Sequence, residues 1–110
     1  MKLVPMLFFV FAAMSVAGQQ NSAHQLAQKM AQKMKDSLSL TDAQKNQLYN
    51  INMQLHNQKM NIRQQYKAGD SLGYYLQRVE NTRDSLYHQV LSGEKYLLYR
   101  QKKTRLINNN

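Results

Sequence analysis

The sequence contains a single proline, Pro5, and past residue 18 its only glycines are Gly69, Gly73 and Gly93. These are the two residue types that most often end or break helices. Gln, Lys, Leu, Met and Arg, which favour helix, are plentiful over the same stretch. No segment alternates apolar and polar residues for long enough to build a sheet. The expectation is an all-α fold.

Residues 1–18 read separately. Met1-Lys2 gives a short positive start, and Leu3 to Met14 is apolar around Pro5. Ser15-Val16-Ala17-Gly18 then offers small residues at a signal peptidase site, with cleavage after Ala17 or Gly18. The run is shorter than the about 20 apolar residues of a membrane span. No cysteine follows it to carry a lipid anchor. We therefore expect a leader at 1–18, a helical domain at 19–107, a frayed tail at 108–110, and no stable membrane insertion after cleavage. The 92 residues beyond the leader make one small domain with a thin core, so oligomerisation is expected. That length excludes a multidomain enzyme and a doubly wound dinucleotide fold. Absent cysteines mean export without disulfide staples. Beyond the leader, 14 Lys and Arg face 6 Asp and Glu. For an exported chain this charge points to anionic proteins, lipid head groups or wall polymers rather than nucleic acid.

Four helices are expected. Ser22 with Gln25 resembles a capping box ahead of Leu26, Met30, Met34 and Leu38, which gives a first helix over 23–36 with Ser37 to Leu40 as the connection. Thr41-Asp42-Ala43-Gln44 is a better box: the Thr41 hydroxyl can accept from the Gln44 amide while the Gln44 side chain reaches back to Thr41. The second helix should run to Lys67, before Gly69. On it Leu48, Ile51, Leu55, Ile62 and Tyr66 fall within about 60° of one another. Tyr49, Met53, His56 and Met60 form another stripe roughly 140° away, beside Lys45, Arg63 and Lys67. Asp70 or Ser71 can cap a third helix reaching Val90, with Leu72, Leu76, Val79, Leu86 and Val90 as its stripe. Arg83 lies inside that stripe, its head snorkelling or pairing with Glu80. Helices two and three should form an antiparallel hairpin. Ser92 can cap a fourth helix over 94–107, which includes Tyr96, Leu97, Leu98, Tyr99 and Leu106.

Leu40-Thr41-Asp42-Ala43-Gln44-Lys45, followed by Leu48 and Ile51, resembles the L-T-x-x-Q signature of the Spy and CpxP family of bacterial periplasmic proteins. Leu91-Ser92-Gly93-Glu94-Lys95 looks like a degraded second copy, with Ser for Thr and Lys95 for the closing Gln. The resemblance implies a periplasmic four-helix hairpin fold that dimerises into a thin, curved cradle. It also implies one of three roles: an ATP-independent chaperone for unfolded envelope proteins, a regulator of an envelope-stress sensor kinase, or a metal-responsive protein. The signature residues Leu40, Thr41, Gln44, Leu91, Ser92 and Lys95 are structural and identify no active site.

Two separated apolar stripes on one helix cannot both face one hairpin partner. The second stripe must meet helix one or four, a second protomer, or a client. Tyr49, Met53, His56 and Met60, with Arg63 and Lys67 beside them, are therefore the candidate client-binding residues. Methionine suits such a surface because its unbranched thioether repacks against many partners. His24, His56 and His88 show no H-x-x-x-H or H-E-x-x-H spacing, so no metal site is assigned, although Met53, His56 and Met60 could share a soft-metal face. The sequence has no G-x-S-x-G, no P-loop and no cysteine, and its six carboxylates form no clear pair. No catalytic residue and no cofactor are expected.

Overall fold

The computed structural model describes residues 22–108, which form four helices and no strand. They are α1 (22–38), α2 (Asp42–Gln65), α3 (Asp70–Val90) and α4 (Gly93–Asn108). The expected leader, residues 19–21, and Asn109 and Asn110 of the expected tail lie outside the described residues.

Ser22 was expected to cap the first helix, but it is already helical, so α1 starts no later than that residue. The helix also extends to Leu38, two residues past the expected end. It closes in a Schellman turn: Ser39 takes a positive φ of 55° and the Leu40 N–H bonds the Lys35 carbonyl at 3.0 Å. This turn buries Leu40, so the connection shrinks to Ser39–Thr41. The buried face of α1 is Ala23, Ala27, Met30, Ala31, Met34 and Leu38. Leu26, expected in that stripe, is 38% exposed. A spacing of four drifts by about 40° per step, so Leu26 falls off the face that alanines occupy.

The Thr41 capping box forms as expected. The Gln44 amide donates to the Thr41 hydroxyl at 3.1 Å, and the Thr41 amide donates to Gln44 Oε1 at 3.0 Å. Asp42 sits in the first turn, where the helix dipole favours its charge. α2 ends at Gln65, short of Lys67, and Tyr66 is its C-cap. At the start of α3 neither Asp70 nor Ser71 caps. The N-cap is Gly69, at φ 99°, and no side chain bonds the free amides. α4 gains one residue at each end over expectation.

α2 and α3 form the expected antiparallel hairpin. Gln44 meets Val90, Asn52 meets Tyr87, Lys59 meets Glu80 and Tyr66 stacks on Tyr75, in opposite chain directions. The core gathers at the end away from the hairpin turn. Met30, Met34, Leu38, Leu48, Tyr87, Leu91, Tyr99 and Leu106 make one cluster there. Tyr87 and Tyr99 are fully buried, with rings edge to face at 5.1 Å. From His56 to Arg78, around the turn, no residue is buried. Ile62, Tyr66, Leu72 and Leu76 are only half-buried, because that half of the hairpin has two-helix cover.

Two substitutions test the turns. Gly69→Ala should cost about 1 kcal/mol, since a side chain disfavours φ 99° even with nothing within 4 Å of the added Cβ. Ser39→Gly should gain about 0.5 kcal/mol by relieving the positive φ. Urea unfolding followed by circular dichroism reads both.

Candidate functional site: a groove between the first helix and the hairpin

Arg83, on α3, points into the seam where α1, α2 and α3 meet, and the residue is only 6% exposed. A buried guanidinium is costly unless it is paired and hydrogen-bonded. Here its Nε donates to Glu80 Oε1 at 3.0 Å and its Nη2 to Glu80 Oε2 at 3.3 Å. Its Nη1 donates to Asn52 Oδ1 at 3.1 Å and to the Tyr87 hydroxyl at 3.0 Å. Tyr87 donates in turn to Asn52 Oδ1, and Asn52 Nδ2 donates to the Ala27 carbonyl at 3.3 Å. Lys59 donates to Glu80 from α2. Of the two fates expected for the Arg83 head, pairing with Glu80 is the one found. Among the described residues, no buried side-chain polar atom lacks a partner.

Sequence reasoning missed Asn52 and Tyr87. Asn52 lies about 40° from Leu48, in the gap between the two stripes of α2. The stripes are therefore shoulders of one broad face, with α1 over one shoulder and α3 over the other. Tyr87 sits four residues past Arg83 on the same arc of α3, and that spacing was the available signal.

All of this network except Tyr87 lines a cavity of about 170 Å³. Its polar wall is Asn52, Lys59, Glu80 and Arg83, and its apolar wall is Leu26, Ala27, Met30 and Ile107. An apolar hollow of about 350 Å³ lies alongside, lined by Ser22, Ala23, Leu26, His56 and Met60. Ala23, Leu26 and His56 line both.

Of the expected client-binding residues, His56 and Met60 thus face the groove beside α1. Tyr49 is half-buried, stacks on His24 at 5.6 Å and packs on the core. Met53 is half-buried, and Arg63 and Lys67 are exposed. Burial pushes Glu80 up, but the hydrogen bonds from Arg83 and Lys59 prevail and bring its carboxyl down to about 2. Burial lowers His56, helped by Arg63 and Lys59, which favours the neutral ring. Among the described residues no three His, Cys, Asp or Glu come together as a metal site. No described helix is long and apolar enough to cross a membrane.

The two signature-like segments meet each other. Gln44 Nε2 donates to the carbonyl of Val90, the residue before Leu91, at 3.3 Å. Lys95 Nζ donates to the carbonyl of Ser39, the residue before Leu40, at 2.9 Å, and also to that of Leu38. Lys102 reaches the Ser37 carbonyl at 3.3 Å. Two α4 cations thus cover the negative end of the α1 dipole. Leu40 and Leu91 are both buried, and the Ser92 carbonyl accepts the first helical bond of α4, from Tyr96, at 2.9 Å. Asp84 fastens α3 to α4, accepting from the Tyr99 hydroxyl at 2.7 Å and from Lys103 at 3.0 Å.

Residues 13–105 match the family described as Domain of unknown function (DUF4890). The chain belongs to this family. No curated protein and no solved structure matches it. The matched stretch includes Asn52, Lys59, Glu80, Arg83 and Tyr87, and both signature-like segments.

Acid titration tests the network. Glu80 is held near 2, below its ordinary 4.5. Its contribution is therefore complete above pH about 4.5 and is lost as pH falls through 2. Glu80→Gln should destabilise the protein at pH 7 by about 3 kcal/mol, because it strands the Arg83 charge. It should also flatten the decline in melting temperature between pH 5 and 2, and adding Arg83→Met should restore much of the loss at pH 7.

Proposed function

We propose that this is a non-enzymatic periplasmic protein, similar to Spy, that shields apolar segments of unfolded envelope proteins without nucleotide. The observation that supports this most is the incomplete cover of the α2–α3 hairpin. From His56 to Arg78 none of its residues is buried, and Met60 and His56 line an open apolar hollow. Lys59, Arg63 and Lys67 follow on the same helix and its end, so anionic segments are drawn in before apolar contact holds them. Methionine at the contact tolerates varied client sequences. The protein would act as a homodimer, the second protomer extending the half-covered face.

A second reading is a regulator similar to CpxP, docking on an acidic sensor domain. It draws on the charge distribution. Asp42, Glu80 and Asp84 are ion-paired within the chain, which leaves the excess of Lys and Arg unbalanced at the surface.

The purified protein should slow aggregation of a denatured client in the absence of ATP, read by light scattering. Met53→Glu with Met60→Glu should abolish the effect while circular dichroism shows the helices intact. A client that scatters equally fast with and without the wild-type protein refutes the chaperone reading. Raising salt separates the two roles: charge-led docking weakens steeply as screening sets in, whereas apolar holding persists.

A further inference from the structure

We propose that the groove between α1 and the hairpin captures the free carboxylate terminus of a polypeptide whose last residue is apolar. The polar wall of its inner cavity carries Arg83 and Lys59 against one carboxylate, Glu80, with Asn52 and His56 beside them. With His56 neutral, that wall has one positive charge in excess, which an incoming carboxylate balances. Donors remain to hold it. Lys59 has three N–H groups and gives one to Glu80, and one Nη2 hydrogen of Arg83 is outside its bonds to Glu80, Asn52 and Tyr87.

Size and lining select the rest of the ligand. A cavity near 150 Å³ holds about one benzene ring. The 170 Å³ here therefore takes a carboxylate and a short branched side chain, set against Leu26, Ala27, Met30 and Ile107. The preceding residues would leave through the adjoining hollow past Leu26 and Met60. Ser22 and His56 line that exit and can bond peptide groups. A plain acyl chain would make no such bonds. The site thus narrows the proposed clients to chains with exposed apolar C-termini. It rests on the client-binding reading only for the partner's identity.

Fluorescence polarisation with an N-terminally labelled peptide ending in leucine tests it on the purified protein. The free acid should bind about tenfold or more tighter than the same peptide as a C-terminal amide, the loss expected for a charge-assisted contact. Lys59→Gln should bring the acid-to-amide ratio close to one, and Lys59→Arg should keep it. Equal binding of acid and amide, or no binding of either, overturns the proposal without any variant. Displacement of the peptide by decanoate at equal concentration also overturns it, by assigning the groove to free fatty acids. Acid-selective binding without suppression of aggregation keeps this site and removes the chaperone reading. Suppression without acid selectivity does the reverse.

Discussion

One buried charge fixes how α1, α2 and α3 meet. Arg83 lies where three helices converge, in a chain with no tryptophan or cysteine and whose phenylalanines all fall in the first eleven residues. The α1 face above it is built from alanine, methionine and leucine alone, and a guanidinium fills volume there that an aromatic ring would fill elsewhere. Four of its five donors also fix directions. Glu80 holds one edge, Asn52 and Tyr87 the other, and Asn52 extends the chain of bonds to the α1 backbone. Apolar packing alone would allow α1 to slide along the hairpin, whereas the bond from Asn52 to the Ala27 carbonyl sets one register.

The helix junction next to it is closed by another kind of polar contact. Helix termini leave carbonyls without partners, and each end at this junction finds a donor on another helix. Gln44 serves α3 through Val90, while Lys95 and Lys102 serve α1 through Ser37, Leu38 and Ser39. Gln44 does two jobs, since its Oε1 completes the Thr41 box and its Nε2 crosses to α3. Each segment therefore starts its own helix and ties off another. Lys95 suits its place in these terms: the carbonyls it meets end a helix dipole, where a cation is favoured over a neutral amide.

What could be read from the sequence was local. The Thr41 box, the hairpin, the four helices and the Arg83–Glu80 pair all depend on residues within four positions or on a single periodicity. What escaped depended on partners far apart in the chain. Asn52 looks like one more amide on a helix rich in them, and only its angular position between the stripes marks it. The roles of Lys95 and Lys102 were hidden because their partners are backbone carbonyls, which carry no residue signature. Gly69 was passed over as cap because Asp70 and Ser71 are better capping residues by type, yet the chain needs a positive φ one residue earlier. The candidate stripe was legible as an excess of apolar surface. That it would be split, with Tyr49 against the core and His56 and Met60 beside the groove, required knowing where α1 lies.

The distribution of burial has a mechanical consequence. The end holding Tyr87, Tyr99, Leu48 and Leu91 is packed on all sides, while the half of the hairpin from His56 to Arg78 has no buried residue. Segments with few buried contacts open at lower free energy than the core they join. The groove spans this boundary. Its floor, Arg83 with Asn52, is held by Tyr87 of the rigid end, and its outer lip, Met60, belongs to the pliable one. A rigid floor keeps donors oriented, and a pliable lip adapts to different side chains. Because Lys59 lies one residue before Met60 and holds Glu80, lip and floor are joined by an ion pair as well as by α2 itself.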